Sequence, residues 1–430
     1  MAAKDDPFSP PPDSPNMTTS FDIDRVRAQF PALALTDDNR PRVYFDNPAG
    51  TQVPQRVIDR TVDTLVTRNA NLGGYFPTTV AAGALVDEAH QACADFYNAA
   101  SPSEIVFGQN MTTLTLHMSR CLGKRFRRGD EIVLSRMDHD ANVAPWLLLA
   151  DDLGLTVRWM DFDPETCEFP DDALSKVLSE KTKLVALGLA SNCTGTVNDV
   201  KHFAKQAKAA GAIVYVDAVQ MAPHYAIDVQ DLGIDILVSS AYKWFGPHQG
   251  ILWGREDLLK ETFGYKVRPA GEEPPHKFET GTLSHEGMAG CLAAVEYLEQ
   301  FGDGNNRAAR IKSAWSTLAA YEHNITLWLI EGLRSFKGLK IRGITSANAM
   351  HRRVPTMSFT LQGHHPADLA KSFARDNIFV WSGHNYAIEP MTRMGLLDKG
   401  GVLRVGLAHY NTEAEVDALL DSLTRIAKAK

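Results

Sequence analysis

Cysteine is scarce in this chain: Cys93, Cys121, Cys167, Cys193 and Cys291 are the only five in 430 residues. They form no C-x-x-C pair and no cluster with metal-ligand spacing, so neither a disulfide framework nor a metal site is implied. No apolar run approaches the roughly 20 residues needed to span a bilayer. Positive charge is not in excess; the formal net charge is −8, which disfavours nonspecific nucleic-acid binding. A G-x-G-x-x-G fingerprint, a P-loop and an H-E-x-x-H helix are all missing. The first residues, MAAKDDPFSPPPDSPN, place prolines and acids where a secretory signal needs an apolar stretch. Residues 1–20 are therefore expected to be a disordered tail, and the protein to be soluble and cytoplasmic.

What is present is ordinary globular composition, 44% hydrophobic and 22% charged, with length enough for a large core and a second domain. Apolar runs predict strands over 104–107, 131–135, 156–160, 184–189, 213–217, 235–239 and 250–253. Helical patterns such as 200–210 lie between several of them. The alternation predicts an α/β fold whose large domain is a mainly parallel seven-stranded sheet flanked by helices. A tight Gly-Pro loop before the last of these strands permits antiparallel pairing there. After Gly287 the pattern changes to helices over 288–301 and about 307–336. Short strands near 354–361 and 403–407 and a helix over 413–428 follow. The expected organisation is a tail (1–20), an N-terminal segment packing with the small domain (21–45), a large domain (46–287) and a smaller α+β domain (288–430).

One stretch organises the rest. The apolar run Ile234-Asp235-Ile236-Leu237-Val238 stops at Ser239-Ser240, and a single lysine, Lys243, follows. In α/β sheets ligands bind beyond the carboxyl ends of strands. A lysine desolvated there loses its proton readily, and a neutral amine attacks carbonyls. By itself the stretch reads more readily as a surface lysine in a turn.

Four other strand ends carry suitable partners. Phe107-Gly108-Gln109-Asn110-Met111-Thr112-Thr113 is a strand, a turn and a helix start, which is either an anion site or a plain cap. Asp217 ends an apolar strand, where a carboxylate is costly unless paired; it could serve a protonated ring nitrogen or cap a helix. His139, after the strand ending at Ser135, could stack on a flat ring or sit in solvent. Asn192, after another strand, could bond a ring hydroxyl or belong to a turn. One molecule needs all of these groups: pyridoxal 5′-phosphate, with its aldehyde, pyridine nitrogen, phenolic oxygen and phosphate.

Asp217-Ala218-Val219-Gln220 and Ser240-Ala241-Tyr242-Lys243 resemble the Asp-x-x-Gln and Ser-x-His-Lys motifs of the cysteine desulfurase-like branch of the class V aminotransferases, enzymes of PLP fold type I. The resemblance covers nearly the whole chain after residue 20. It implies that Lys243 carries the cofactor, Asp217 faces its ring nitrogen, and His139 stacks on the ring. It places Gln220 and Asn192 near the phenolic oxygen. Met111 (through its backbone), Thr112, Ser240 and Tyr242 would hold the phosphate. Thr282, in Phe278-Glu279-Thr280-Gly281-Thr282, matches the threonine lent to the neighbouring subunit's phosphate, so a homodimer is implied. Arg404 matches the arginine that clamps the substrate carboxylate. Asn47, Trp381 and His384 fall on the substrate side.

The chain departs from the family at one decisive position. Desulfurases carry a nucleophilic cysteine in a Gly-His-x-Cys-Ala setting; here the run is Gly383-His384-Asn385-Tyr386-Ala387, and Tyr386 stands in the cysteine's place. Trp381 stands where many relatives have arginine. Persulfide formation needs a thiolate, so a usual desulfurase reaction is not expected. The remaining expectation is an enzyme that joins PLP to a small L-amino acid and releases a β-substituent. This is C–S lysis, or β-decarboxylation of an aspartate-like substrate with the carbon then protonated or added to a second, electrophilic substrate. Aminotransfer, epimerisation, and a catalytically silent PLP-binding protein are the alternatives. Neither nucleic-acid nor membrane partners are expected.

Overall fold

The structure, a computed structural model, describes residues 21–428; the tail expected over 1–20 lies outside them. Seven strands form one sheet: β1 (Ile105–Gly108), β2 (Glu131–Ser135), β3 (Thr156–Met160), β4 (Thr182–Gly188), β5 (Ile213–Asp217), β6 (Ile236–Ser240) and β7 (Gly250–Gly254). Their order is β1-β7-β6-β5-β4-β2-β3. The run from β6 to β3 is parallel. β7 is antiparallel to both β6 and β1. Strands covered on both faces need apolar side chains on both, and every residue of β2, β6 and β7 is buried. The exception is β3, an edge strand whose side chains alternate in exposure.

Helices cover both faces of this sheet, and their ends are set locally. α1 (Gln55–Thr67) and α2 (Pro77–Tyr97) lie before β1. α2 opens on a proline, whose missing N–H costs nothing there, and stops at Asn98 in the left-handed region. α3 (Met111–Gly123) starts at Asn110, whose side chain accepts the Thr113 N–H at 2.9 Å, while the Thr113 hydroxyl accepts the Asn110 N–H at 3.2 Å. α4 (Ala144–Leu153) follows β2 and its loop.

The smaller body contains an antiparallel sheet of β8 (Leu339–Arg342), β9 (Thr356–Leu361), β10 (Trp381–Gly383) and β11 (Val402–Gly406), in the order β8-β9-β11-β10. The two outer strands were not foreseen. They are three or four residues long and lie at the edges, so their side chains lack a continuous apolar run. Val43–Tyr44 pairs in parallel with Ile378–Phe379, and Phe21 stacks on Tyr321 at 4.3 Å.

The change of core comes later than the pattern break after Gly287. The helix His285–Glu299 buries Met288, Leu292, Val295 and Leu298 in the same cluster as Ala89 and Phe96 of α2. The following helix, Arg307–Arg334, buries Ile311, Trp315 and Leu318 in that cluster, then Ile325, Leu329 and Leu333 in the core of the small sheet. An uninterrupted helix carries no composition signal where its neighbours change. Among the described residues no helix is long and apolar enough to cross a membrane.

Candidate active site

The carboxyl ends of the parallel strands open into a cleft of ≈830 Å³. Lys243, Asp217, His139, Asn192, Gln220, Ser240, Tyr242, Met111, Thr112, Trp381, Tyr386 and Arg404 all line it. Those of the large sheet come from strand ends that parallel pairing brings together, and Trp381, Tyr386 and Arg404 come from the small sheet and its loop. Gly188 at the end of β4, for example, is in register with Asp217 at the end of β5.

Lys243 sits on a single turn of 3-10 helix directly after β6. The turn closes because Gly246 N–H reaches the Ala241 carbonyl and Ala241 N–H reaches the Gln249 carbonyl, at 2.9 and 2.8 Å. Lys243 Nζ donates to the Pro48 carbonyl and lies 4.8 Å from the centre of the Tyr242 ring. Burial pushes its pKa from 10.5 down to about 7; Arg404 adds to the fall, and Asp46 and Asp217 oppose it. The lysine is therefore poised between amine and ammonium near neutral pH.

Asp217 is 8% exposed, and its Oδ1 accepts the Val219 N–H at 2.8 Å. Burial raises its pKa to about 6, against the pull of that N–H and of Lys243. His139 Nδ1 accepts the Ala141 N–H at 3.0 Å, which leaves its proton on Nε2. Burial, with Lys243 and Arg404 nearby, lowers its pKa to about 3, so the imidazole is neutral. A neutral ring is the form suited to stacking on a cationic pyridinium.

The N-terminus of α3 faces the cleft and is held there. Met111 N–H donates to Ser240 Oγ at 2.9 Å. A Cβ on Gly250 would come within 2.5 Å of the Asn110 backbone, so only glycine lets β7 approach the helix start this closely. The dipole of a helix start favours a phosphate at such a place. Deeper in the cleft, Asn192 Oδ1, Gln220 Oε1 and Arg404 Nε are buried without hydrogen-bond partners. A ring bearing a phenolic oxygen, with a carboxylate beside it, gives such groups partners. The residues present fit pyridoxal 5′-phosphate.

Arg404, on β11, is 5% exposed. Its Nη1 donates to the Asn192 carbonyl at 3.1 Å, and its Nη2 lies 3.6 Å from Asp46 Oδ1. The guanidinium is thus held in place by the turn 46–50, which the sequence presents only as a turn. Asp46 faces both Arg404 and Lys243, and the Pro48 carbonyl receives Lys243. Asp138 was also missed. It lines the cleft fully buried, its carboxylate bonded to Ser135 Oγ, Gly188 N–H and Asn142 Nδ2 at 2.9, 2.8 and 2.6 Å. Burial and the charge of Asp217 raise its pKa to about 7. The signal was an acidic residue directly before His139, one that must go wherever the histidine goes.

Three expected residues do not line the cleft. Asn47 is spent elsewhere: its Nδ2 lies within 3.0 Å of the Tyr44 and Gly406 carbonyls and Asn411 Oδ1, and its Oδ1 accepts the Tyr410 hydroxyl. It ties the 46–50 turn to the small sheet. His384 is exposed, and its Nδ1 accepts the Tyr386 N–H at 3.0 Å. Thr282 is exposed on a separate shallow cleft beside Thr64, Leu65 and Arg68.

The loop bearing Tyr386 is pinned to the walls of the site. Asn192 Nδ2 donates to the Asn385 carbonyl and Asp140 N–H to the Tyr386 carbonyl, each at 2.8 Å. Asn385 and Tyr386 have φ of 53° and 55°. That region suits asparagine but costs a tyrosine on the order of 1–2 kcal/mol. The Tyr386 ring stacks against His139, centroids 5.5 Å apart and planes 20° from parallel. All five cysteines are buried. Cys193, next to Asn192, is fully enclosed with its thiol 4.0 Å from Ser358 Oγ, and burial pushes its pKa to about 12.

Residues 43–419 match the family described as aminotransferase class-V. A cysteine desulfurase of Serratia proteamaculans is 33% identical over 425 residues, covering 95% of this chain and 99% of its own. One from Yersinia pestis is 32% identical over 424 residues, with the same coverage. Among solved structures, the apo cysteine desulfurase of Thermococcus onnurineus superposes with a TM-score of 0.85 at 28% identity, over 95% of this chain and 98% of that one. The Escherichia coli cysteine desulfurase CsdA, in an S-sulfonic acid form, gives 0.81 at 27% identity, over 94% and 98%.

Proposed function

Since the chain belongs to the class-V aminotransferase family, we propose that it acts at the β-carbon of a small L-amino acid and releases a β-substituent without passing sulfur to a cysteine of its own. It is an α/β enzyme of PLP fold type I, and pyridoxal 5′-phosphate is its cofactor. When bound, that cofactor supplies an electron sink for charge left at Cα and, one carbon further on, at Cβ. The protein's part is binding, orientation and proton transfer. Lys243, near its midpoint at neutral pH, takes and returns the Cα proton. Asp217 holds a proton on the ring nitrogen. His139 covers one face of the ring. Arg404, anchored by Asp46 and by the Asn192 carbonyl, offers a planar fork to the substrate carboxylate.

What supports the reading is Tyr386, which by the resemblance stands where relatives carry the nucleophilic cysteine, on a loop pinned at both Asn385 and Tyr386. A phenol donates a hydrogen bond or a proton but does not accept sulfur. In C–S lysis the Cβ–S bond breaks and the sulfur leaves with both electrons, taking a proton. In β-decarboxylation the bond from Cβ to its carboxylate breaks and carbon dioxide departs. The electron pair stays on Cβ, which then takes a proton or bonds to the carbonyl carbon of an aldehyde whose oxygen is protonated.

Assembly as a two-fold homodimer is part of the same reading. Thr282 lies exposed outside its own cleft. Nearby Ile58, Val62, Leu65 and Val66 leave an apolar stripe of α1 uncovered, with Tyr75, Phe76 and Val80 also exposed. A second copy would cover that stripe and bring Thr282 to the neighbouring phosphate site. The deciding experiment exposes holoenzyme to L-cysteine, S-substituted cysteines and L-aspartate, and follows sulfide, thiol, carbon dioxide and intact-protein mass. Release of thiol or carbon dioxide with no persulfide on the protein is expected. A persulfide that disappears with Cys193→Ser would overturn the proposal.

A further inference from the structure

The floor of the cleft is polar and buried: Gln220, Ser240, Arg404, Asn192 and Asp217 are all at or below 8% exposure. Four large apolar residues at its rim are exposed: Leu116 at 37%, Leu148 at 51%, Trp381 at 55% and Tyr386 at 66%. Pro145, buried between them, also lines the cleft. These side chains come from three places: Leu116 from α3, Pro145 and Leu148 from α4, and Trp381 and Tyr386 from the small body. Scattered exposed apolar residues need no explanation, but a cluster rimming one cleft marks a binding site.

A small amino acid held by Arg404 occupies the polar floor and leaves this rim uncovered. Tyr386 is also kept there against a backbone preference, since φ of 55° is unfavourable for a bulky side chain. The Asp140 and Asn192 hydrogen bonds to its loop hold the ring over the cleft mouth against His139.

From this disposition we infer that the rim is a subsite for an apolar group, aliphatic or aromatic, of several carbon atoms, presented to the β-carbon. The inference rests on the proposed β-carbon chemistry and narrows its substrate class. The same chemistry has two sources. The apolar group is either the β-substituent of the amino acid itself, as in an S-alkyl-L-cysteine, or the tail of a separate electrophile such as an aldehyde. Leu148 and Trp381 give the subsite its contact area. The flat wall of Trp381 and Tyr386 meets chains or rings without hydrogen-bond demands.

Two homologous series test this by binding alone, so a failure of the proposed chemistry remains separate from a failure of the subsite. S-Methyl- to S-butyl-L-cysteine are titrated against the holoenzyme by the change in cofactor absorbance. The n-alkanols from ethanol to hexanol, stable stand-ins for aldehydes, are titrated by saturation-transfer NMR with L-aspartate present. Burial of each added methylene is expected to tighten binding about fourfold. A slope in the first series assigns the group to the amino acid, and one in the second assigns it to a separate substrate. Either slope should collapse toward unity in Leu148→Asn, and again in Trp381→Gln should the first variant fold poorly. Flat series in both arms would overturn the inference. So would an unchanged slope in both variants. A second copy seated on the leucines is the competing occupant. In that case Leu148→Asn lowers the mass seen by light scattering and leaves the slope intact, which also overturns it.

Discussion

Replacing the anchor of the lysine's electrostatics should move its titration in a stated direction. Lys243 has its pKa lowered from 10.5 to about 7, chiefly by burial and next by Arg404. At pH 7 about half of the lysine is then neutral, against about 0.03% for an unperturbed one, a factor of roughly 1,500 in available amine. The assay is competitive labelling of cofactor-free protein with trace acetic anhydride, with the Lys243 peptide quantified by mass spectrometry from pH 5.5 to 10. Labelling should rise with a midpoint near 7 and then level off. Arg404→Gln removes a neighbouring cation, so the midpoint should move up; Asp46→Asn removes an anion, so it should move down. The sign for stability follows. The native lysine binds fewer protons than the unfolded one between about 7 and 10.5, so its contribution to stability increases as pH rises through that window. Below about 7 its cost is constant. A labelling midpoint above 9, or no response to either substitution, would refute the account of how this lysine is tuned.

Further outcomes are expected. Asp138 has its pKa raised from 3.8 to about 7, so its ionisation in the native state costs stability as pH rises through that interval. Cofactor-free Asp138→Asn should be more stable at pH 8, by at most roughly 4 kcal/mol, and should show a shallower pH dependence between 4 and 7 in urea melts, the remainder belonging to Asp217; an equal or lower midpoint at pH 8 contradicts this. Gly250→Ala should weaken cofactor retention on dialysis, because its Cβ would strike the Asn110 backbone at 2.5 Å; unchanged retention would show that the helix start has room to shift. Borohydride should fix the cofactor on Lys243 alone, and a labelled peptide from elsewhere would misplace the centre. Mixing inactive Lys243→Ala with Thr282→Ala chains should restore part of the activity through exchange, whereas full activity in a monomer would exclude a shared site. Tyr386→Phe should alter turnover or product distribution; no change would confine the hydroxyl to packing.

Some of this protein was legible in the chain alone. Runs such as Ile132-Val133-Leu134 and Val214-Tyr215-Val216 are apolar without alternation, because strands in the middle of a covered parallel sheet bury both faces. Their boundaries were readable for the same reason: the apolar run ends where the strand leaves the core. Lys243, Asp217 and His139 were legible because each follows such a run directly, and strand ends are where this fold places its chemistry. That Tyr386 follows Gly383-His384-Asn385 was likewise a fact of sequence.

What tertiary structure alone decided concerns contacts between segments that no local pattern links. Asn47 looked like a substrate residue, yet its amide bonds Tyr44, Gly406, Asn411 and Tyr410 and lies off the cleft. Asp46 and the Pro48 carbonyl looked like parts of a turn, yet they face Arg404 and Lys243. Edge strands β8 and β10 escaped notice because a short half-exposed strand buries too little to impose a pattern. The shift of Lys243 was suspected, but its size depends on burial and on charges hundreds of residues apart in the chain. A side chain's own type and spacing determine the element that carries it. Its protonation state, its partners and the surface it faces are set by whichever distant groups the fold brings within a few ångströms, where desolvation and Coulomb terms are large.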